Sequence, residues 1–265
     1  MDTQKVKTLL IKLFGYKLTA VLQGVRFARL LKNKTETEPE LKILDKFLKP
    51  GDAAIDVGAN GADWTYALYS NVGQNGIVFA FEADPYYALS TSIAIKLMKM
   101  KNVEFFACGL SDKEETVPLR IKDPNGLRSS GLGFIDKENT TNEGVALVHL
   151  KTLDSFIDKH PEILKTALLK VDVEGYELFV LKGAVKVLKQ ARPVVFFETG
   201  NFEKQGYKAE DLHSFIKQLE YKAYALIDNE SLREVDSSLM HPRALGPNRI
   251  LLPMEKIDSY KFSLS

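Results

Sequence analysis

Ala53-Ala54-Ile55-Asp56-Val57-Gly58-Ala59-Asn60-Gly61, followed by Gly76-Ile77-Val78-Phe79-Ala80-Phe81-Glu82, decides the reading of this chain. An apolar strand runs into a loop of small residues, a helix follows, and a second apolar strand ends in a carboxylate. This pattern is the first half of an α/β unit that binds a nucleoside ligand. Small loop residues let backbone N–H groups approach the ligand, and an acid about 20 residues beyond the loop is placed to meet ribose hydroxyls.

The loop argues against a dinucleotide. A pyrophosphate site wants G-x-G-x-x-G, so that phosphates rest on bare backbone at a helix N-terminus. Here Gly58 is followed by Ala59, Asn60, Gly61, Ala62 and Asp63. Asp63 stands where the helix begins and would repel phosphate, and Asp56 adds negative charge just before the loop. A sulfonium amino acid such as S-adenosylmethionine carries positive charge and no phosphate, so it suits such a pocket.

Outward from this unit the chain alternates as a parallel sheet requires. Glu40 to Leu48 reads as a helix closed by Lys49-Pro50-Gly51-Asp52. Strands are expected at Ala53–Val57, Ile77–Phe81, Val103–Cys108, Ala167–Val173 and Val194–Phe197. The intervening helices run from Asp63 through Tyr69, Pro85 through Met98, Tyr176 to Gln190 and Ala209 to Leu219. Alternation of this kind implies a doubly wound α/β sheet. Tyr221–Ile227 and Arg249–Leu252 have no helix between them, which implies an antiparallel pair at the edge. Between the third and fourth strands lies a less regular insert, with short strands near Val117–Ile121 and Val145–Leu150 and a Gly/Ser-rich loop, Pro124 to Gly133. A loop of that length in a compact domain is expected to be a lid or binding loop.

Composition fits one enzyme domain. The 265 residues are 45% hydrophobic and 27% charged, which is ordinary for a globular protein, and the net charge of +1 gives no general argument for nucleic acid. The single cysteine, Cys108, rules out an internal disulfide and a Cys-rich zinc site, and it reads as a small core residue. No apolar run approaches the ~20 residues of a membrane helix. No signal peptide is legible, and the expected location is cytoplasmic.

Residues 1–36 are expected to form a basic amphipathic helical extension preceding a domain at 37–265. Up to Thr35, Lys5, Lys7, Lys12, Lys17, Arg26, Arg29, Lys32 and Lys34 face Asp2 alone, with leucines and valines at helical spacing. One or two basic amphipathic helices broken near Gly15 are expected. They either cap the domain or meet anionic lipid or an acidic substrate.

Several blocks resemble the FkbM-type methyltransferase family. They are Asp56-Val57-Gly58-Ala59-Asn60, Phe81-Glu82-Ala83-Asp84-Pro85, Gly109-Leu110-Ser111-Asp112 and Thr152-Leu153-Asp154, then Lys170 through Glu177, Leu181-Lys182-Gly183-Ala184, and Asn248 through Pro253. The resemblance spans about Leu48 to Pro253, and Asp172-Val173-Glu174-Gly175-Tyr176-Glu177 is its most specific part. It implies a class I, Rossmann-like fold with a mostly parallel seven-stranded sheet and an antiparallel terminal pair. It also implies S-adenosylmethionine as cofactor and O-methylation of a sugar-like or polyketide-like hydroxyl. By the same resemblance, Asp56, Gly58 and Asn60 bound the methionine end, with Gly61 in the same loop. Glu82 holds the ribose diol, and Gly109 with Leu110 flanks adenine. The family usually has glycine two places after the asparagine. This chain has Ala62 there, where a methyl can crowd the cofactor.

The remaining chemistry is expected from carboxylates at strand ends, because ligands of open α/β sheets lie beyond the carboxyl ends of the strands. Asp172 and Glu174 follow the fourth strand and Glu198 the fifth, so all three should face one crevice. One of them takes the proton of an acceptor hydroxyl, or the three hold a divalent cation; the metal-free version is favoured because no histidine accompanies them. Glu177 is expected to cap its helix or face solvent. His149, His160, His213 and His241 show no metal-ligand spacing. Two other functions compete with methyl transfer: a catalytically silent module of the same fold and a NAD-dependent oxidoreductase.

Overall fold

The computed structural model describes residues 3–33, 38–121, 133–136, 144–200, 202–237 and 245–264. Helices α1 (Thr3–Phe14) and α2 (Tyr16–Lys32) break at Gly15, and a 3-10 helix over Pro39–Lys46 stands where an α-helix was expected. The order then runs β1 (Ala53–Val57), α3 (Asp63–Val72), β2 (Ile77–Phe81), α4 (Pro85–Leu97), β3 (Val103–Phe106). Next come four strands of a smaller sheet: β4 (Gly109–Leu110), β5 (Glu115–Arg120), β6 (Phe134–Ile135) and β7 (Val145–Lys151). The main unit resumes with β8 (Thr166–Val171), α5 (Glu177–Lys182), α6 (Val185–Gln190), β9 (Val194–Glu198) and α7 (Ala209–Gln218). It finishes with β10 (Tyr221–Asp228), β11 (Ser231–Val235), β12 (Asn248–Pro253) and β13 (Ser263–Leu264).

The main sheet is ordered β3-β2-β1-β8-β9-β12-β10-β11-β13. From β3 to β9 every pairing is parallel, and β12 runs antiparallel to both β9 and β10. The expected antiparallel pair is therefore present, but it is not the edge. The Asp228-Asn229 turn starts a short hairpin, so β11 pairs antiparallel with β10, and β13 pairs parallel with β11. The described sheet has nine strands where seven were expected.

Alternation along the central strands fills two apolar layers. Ile55, Val57, Phe79 and Phe81 pack with α5, α6 and α7 on one face. Ala54 and Val78 pack with Trp64 and Leu68 of α3 on the other. Each such leucine or phenylalanine, fully buried, contributes about 1.5–3 kcal/mol.

The expected single helix from Tyr176 to Gln190 is two, and contacts with distant segments divide it. A side chain at Gly183 would place its Cβ 1.8 Å from the Ser111 carbonyl oxygen. The chain turns there, and Asp154 caps the new helix by accepting from the N–H groups of Lys186 and Val187 at 2.9 and 3.2 Å. The Thr152-Leu153-Asp154 and Gly183-Ala184 blocks are thus two halves of one joint. Of the Pro124–Gly133 loop, residues 124–132 lie outside the described residues.

Candidate functional site

The carboxyl ends of β1, β2, β8 and β9 open onto a cavity of about 230 Å³. Gly58, Asn60, Glu82, Gly109, Leu110, Asp172, Glu174 and Glu198 all line it. Tyr87, Cys108 and Tyr176 join them, and Leu119, Gly133, Ile135 and Leu150 bring the smaller sheet in as a wall. Gly133 ends the loop expected to be a lid or binding loop, and the other six were not singled out as site residues by the sequence reading.

The β1 end is made of backbone. Gly58 has φ +85°, and a Cβ there would lie 2.0 Å from the Asp172 carbonyl oxygen, so only glycine fits. Asn60 also takes a left-handed φ of 39°. Glu82 fixes this turn: its carboxylate accepts from the N–H of Asn60 and from that of Asp84, each at 2.8 Å. Burial pushes the Glu82 pKa up to about 7, and these two hydrogen bonds oppose the rise. Gly109 keeps the far wall open, since a Cβ would press on Leu150 at 2.6 Å and on Ala83 at 3.1 Å.

Asp56 and Gly61 stand apart from the other residues expected at the site. Neither lines the cavity. Asp56 is fully buried; it accepts from Thr65 Oγ1 at 2.5 Å and lies 3.5 Å from Lys170 Nζ. Gly61 faces the other way, where a Cβ would meet the Phe27 ring at 3.3 Å. Ala62 also points away. It is buried at φ 68° among Leu31, Ile95 and Met100, so its methyl does not crowd the cavity.

The β8–β9 end is made of charge. Asp172, Glu174 and Glu198 each offer a carboxylate oxygen within 4.8 Å of the others. Burial raises the Glu198 pKa to about 8, and the charges of Asp172 and Glu174 push the same way. Behind the acids sits Lys170, whose Nζ lies 3.3 Å from Asp172 Oδ2 and donates to the Gly58 carbonyl at 3.1 Å. Burial alone would lower the Lys170 pKa, but the carboxylates of Asp172, Asp56 and Glu38 outweigh it and the net shift is upward.

Glu177 also departs from expectation. It is fully buried and braces the acid-bearing turn, its Oε1 accepting from the N–H groups of Val173 and Gly175 at 3.1 Å each. That brace holds Glu174 and Gly175 at φ 55° and 97°. Burial pushes the Glu177 pKa up to about 8.

A second cavity of about 440 Å³ shares Asp172 and Glu198 with the first. Glu38, Glu40, Asp228, Asn229 and Asn248 line it as well. Asn248 donates to Glu40 Oε1 at 2.8 Å, while Glu40 Oε2 is buried without a hydrogen-bond partner.

The histidines stand apart. His149 meets Thr116 on an exposed face of the small sheet, and His160 pairs with Glu104 at 2.9 Å beside the Phe79 and Phe106 rings. His241 lies outside the described residues. Burial raises the Cys108 thiol to about pH 11, so it stays protonated near neutrality despite lining the cavity.

This topology, with a cavity at its strand ends, is that of the class I methyltransferase fold. Residues 56–223 match the methyltransferase FkbM domain, and the chain belongs to that family. It is 30% identical over 149 residues to "Methyltransferase 1" of Beauveria bassiana, a match covering 51% of this chain and 59% of the fungal protein. The crystal structure of methyltransferase FkbM from Methylobacillus flagellatus superposes with a TM-score of 0.50 at 14% identity, over 91% of this chain and 59% of that one. The matches thus span about three fifths of these relatives' lengths.

Proposed function

We propose that the protein is an S-adenosylmethionine-dependent O-methyltransferase acting on a hydroxyl of a sugar-like or polyketide-like small molecule. The observation that carries the reading is the charge of the first cavity. Glu82, Asp84, Asp172, Glu174 and Glu198 line it, and no lysine, arginine or histidine stands among its described lining residues. Such a wall suits a sulfonium cation and disfavours the phosphates of NAD.

The residues fit that cofactor. Gly58 and Asn60 offer the closely approached backbone for its methionine end, Glu82 accepts from the ribose diol, and Gly109 with Leu110 leaves a flat slot for adenine. When bound, S-adenosylmethionine supplies an electrophilic methyl group and a sulfide leaving group. Asp56 acts at one remove, holding Lys170, which in turn orients Asp172.

The acceptor enters by the second cavity, whose carboxylates and amides are hydrogen-bond acceptors and donors for a polyhydroxylated molecule. An alkyl hydroxyl needs its proton removed as it attacks, an effect worth about 10²–10⁴ in rate. Glu198, with its raised pKa and its place in both cavities, is the base. Asp172 and Glu174 position the hydroxyl and hold the charge that keeps Glu198 basic. The setting of the reaction is the cytoplasm.

Calorimetry with S-adenosylmethionine, its demethylated product and NADH tests the reading. Saturable binding of the first two is expected. Binding of NADH alone would replace it with the oxidoreductase, and cofactor binding without methyl transfer to any hydroxylated acceptor would favour the silent module.

A further inference from the structure

The N-terminal helices present two different faces. Ala20, Gly24, Ala28 and Leu31 of α2 are buried at helical spacing. Gly24 comes so close to α4 that a Cβ would meet the Ser90 carbonyl oxygen at 2.5 Å and Ile93 Cβ at 2.8 Å. The Tyr86 hydroxyl donates to the Thr19 carbonyl at 3.2 Å, and Phe27 stacks on Tyr87, a residue of the first cavity. Helix α2 is therefore a fixed part of the domain surface.

The opposite faces are apolar and exposed. Leu9, Leu10, Leu13 and Phe14 of α1 follow one another around a single face, and Leu13 and Phe14 are 65% and 56% exposed. On α2, Leu18, Val21 and Leu22 recur at helical spacing, and Leu30 lies further along. These eight are two thirds of the twelve large hydrophobic side chains exposed among the described residues, so exposed apolar surface is concentrated on these two helices. Lys12, Lys17, Arg26, Arg29 and Lys32 are exposed on the same two helices, and no acidic residue occurs anywhere from Thr3 to Asn33.

We infer that α1 and α2 form a docking surface for an anionic lipid bilayer. Charge complementarity selects the occupant. Leucine and phenylalanine insert at the boundary between headgroups and acyl chains, while flanking lysines and arginines meet anionic headgroups. A second copy of the chain would bring like charges together without an acid on either side, so it is the poorer partner. No helix among the described residues is long and apolar enough to cross a membrane, which makes this a surface contact. The inference is independent of the methyl-transfer reading, because its test needs no turnover.

The experiment is co-sedimentation of the full chain with phosphatidylcholine vesicles with and without phosphatidylglycerol. Binding is expected only with phosphatidylglycerol, and it should weaken as salt is added. Leu13→Asp with Phe14→Asp should abolish it. Arg26→Glu with Arg29→Glu should weaken it at least about tenfold, since each basic residue near an anionic surface contributes appreciably. Thermal melting confirms that each variant is folded. Equal binding to both vesicle types, or none to either, overturns the inference. So does a wild-type dimer in light scattering that Leu13→Asp with Phe14→Asp converts to monomer.

Discussion

The two ends of the cavity are built by different means. At the β1–β2 end, shape comes from backbone: a glycine that nothing else can replace, a left-handed Asn60, and a carboxylate engaged with two main-chain N–H groups. At the β8–β9 end, Asp172 and Glu174 on a turn held by the buried ionisable groups Lys170 and Glu177 meet Glu198 at the end of β9. The first arrangement buries one carboxylate and offsets its desolvation with two main-chain donors. The second raises the Glu198 pKa to about 8 by burial first and like-charge repulsion second, and it depends on every partner being present.

The largest effect expected from this contrast is at Lys170. Its side chain is the cation for a fully buried Asp56 and also for Asp172. Lys170→Met leaves a carboxylate buried and unpaired, so denaturant unfolding should show a loss of about 3–5 kcal/mol. A loss below about 1 kcal/mol would mean that the acid end does not depend on this cation.

Next in size is turnover. Glu198→Gln removes the base and should lower kcat by about 10²–10⁴ while cofactor affinity holds. Because burial and its acidic neighbours raise Glu198 to about 8, its basic form grows as pH rises through that value. The rate should climb through pH 8 in the wild type, and Glu198→Gln should abolish the climb. Activity lost to EDTA and restored by magnesium would transfer the role from proton acceptance to metal binding.

Much of this was legible before the coordinates. The limits of β1 and β2 follow directly from runs of apolar residues bounded by turn residues. The three acids were readable from their positions after strands. What escaped depended on contacts between distant segments. β11 is a short, half-polar strand with little apolar signal of its own, and β4 and β6 of the smaller sheet are two residues each, whereas β5 and β7 lie where strands were expected. Glu177 looks like any acid in a first helical turn until the preceding turn folds back on it. One missed signal was readable: Asp56 and Lys170 are opposite charges in the middle of otherwise apolar strands. In a parallel sheet such residues need each other, and the register places them side by side.

The cofactor end should respond more gently. Glu82→Ala removes a charged acceptor and should weaken S-adenosylmethionine binding by about 1.5–3 kcal/mol in calorimetry. Burial raises this carboxyl to about 7, so its ionised form, the better acceptor for two hydroxyls, is lost as pH falls through 7. Affinity should decline below that point in the wild type and stay level in Glu82→Gln. An affinity in Glu82→Ala equal to that of the wild type would remove the ribose assignment.

The smallest effect is expected at Ala62, where this chain departs from the family's glycine. The left-handed backbone at φ 68° costs an L-residue about 1–2 kcal/mol, which Ala62→Gly would relieve. Against this, the variant gives up a buried methyl packed with Leu31, Ile95 and Met100, worth about 0.8 kcal/mol. It also gains about 0.4–1 kcal/mol of unfolded-chain entropy. These terms nearly cancel, so stability should stay within about 1 kcal/mol of the wild type. Cofactor affinity should not change, because Ala62 turns its methyl toward α2 and α4 and the cavity wall in front of it is formed by Gly58 and Asn60. A several-fold gain in affinity in Ala62→Gly would show that the turn transmits strain from the helical layer into the cavity. The backbone-built end would then be as dependent on its surroundings as the charge-built one.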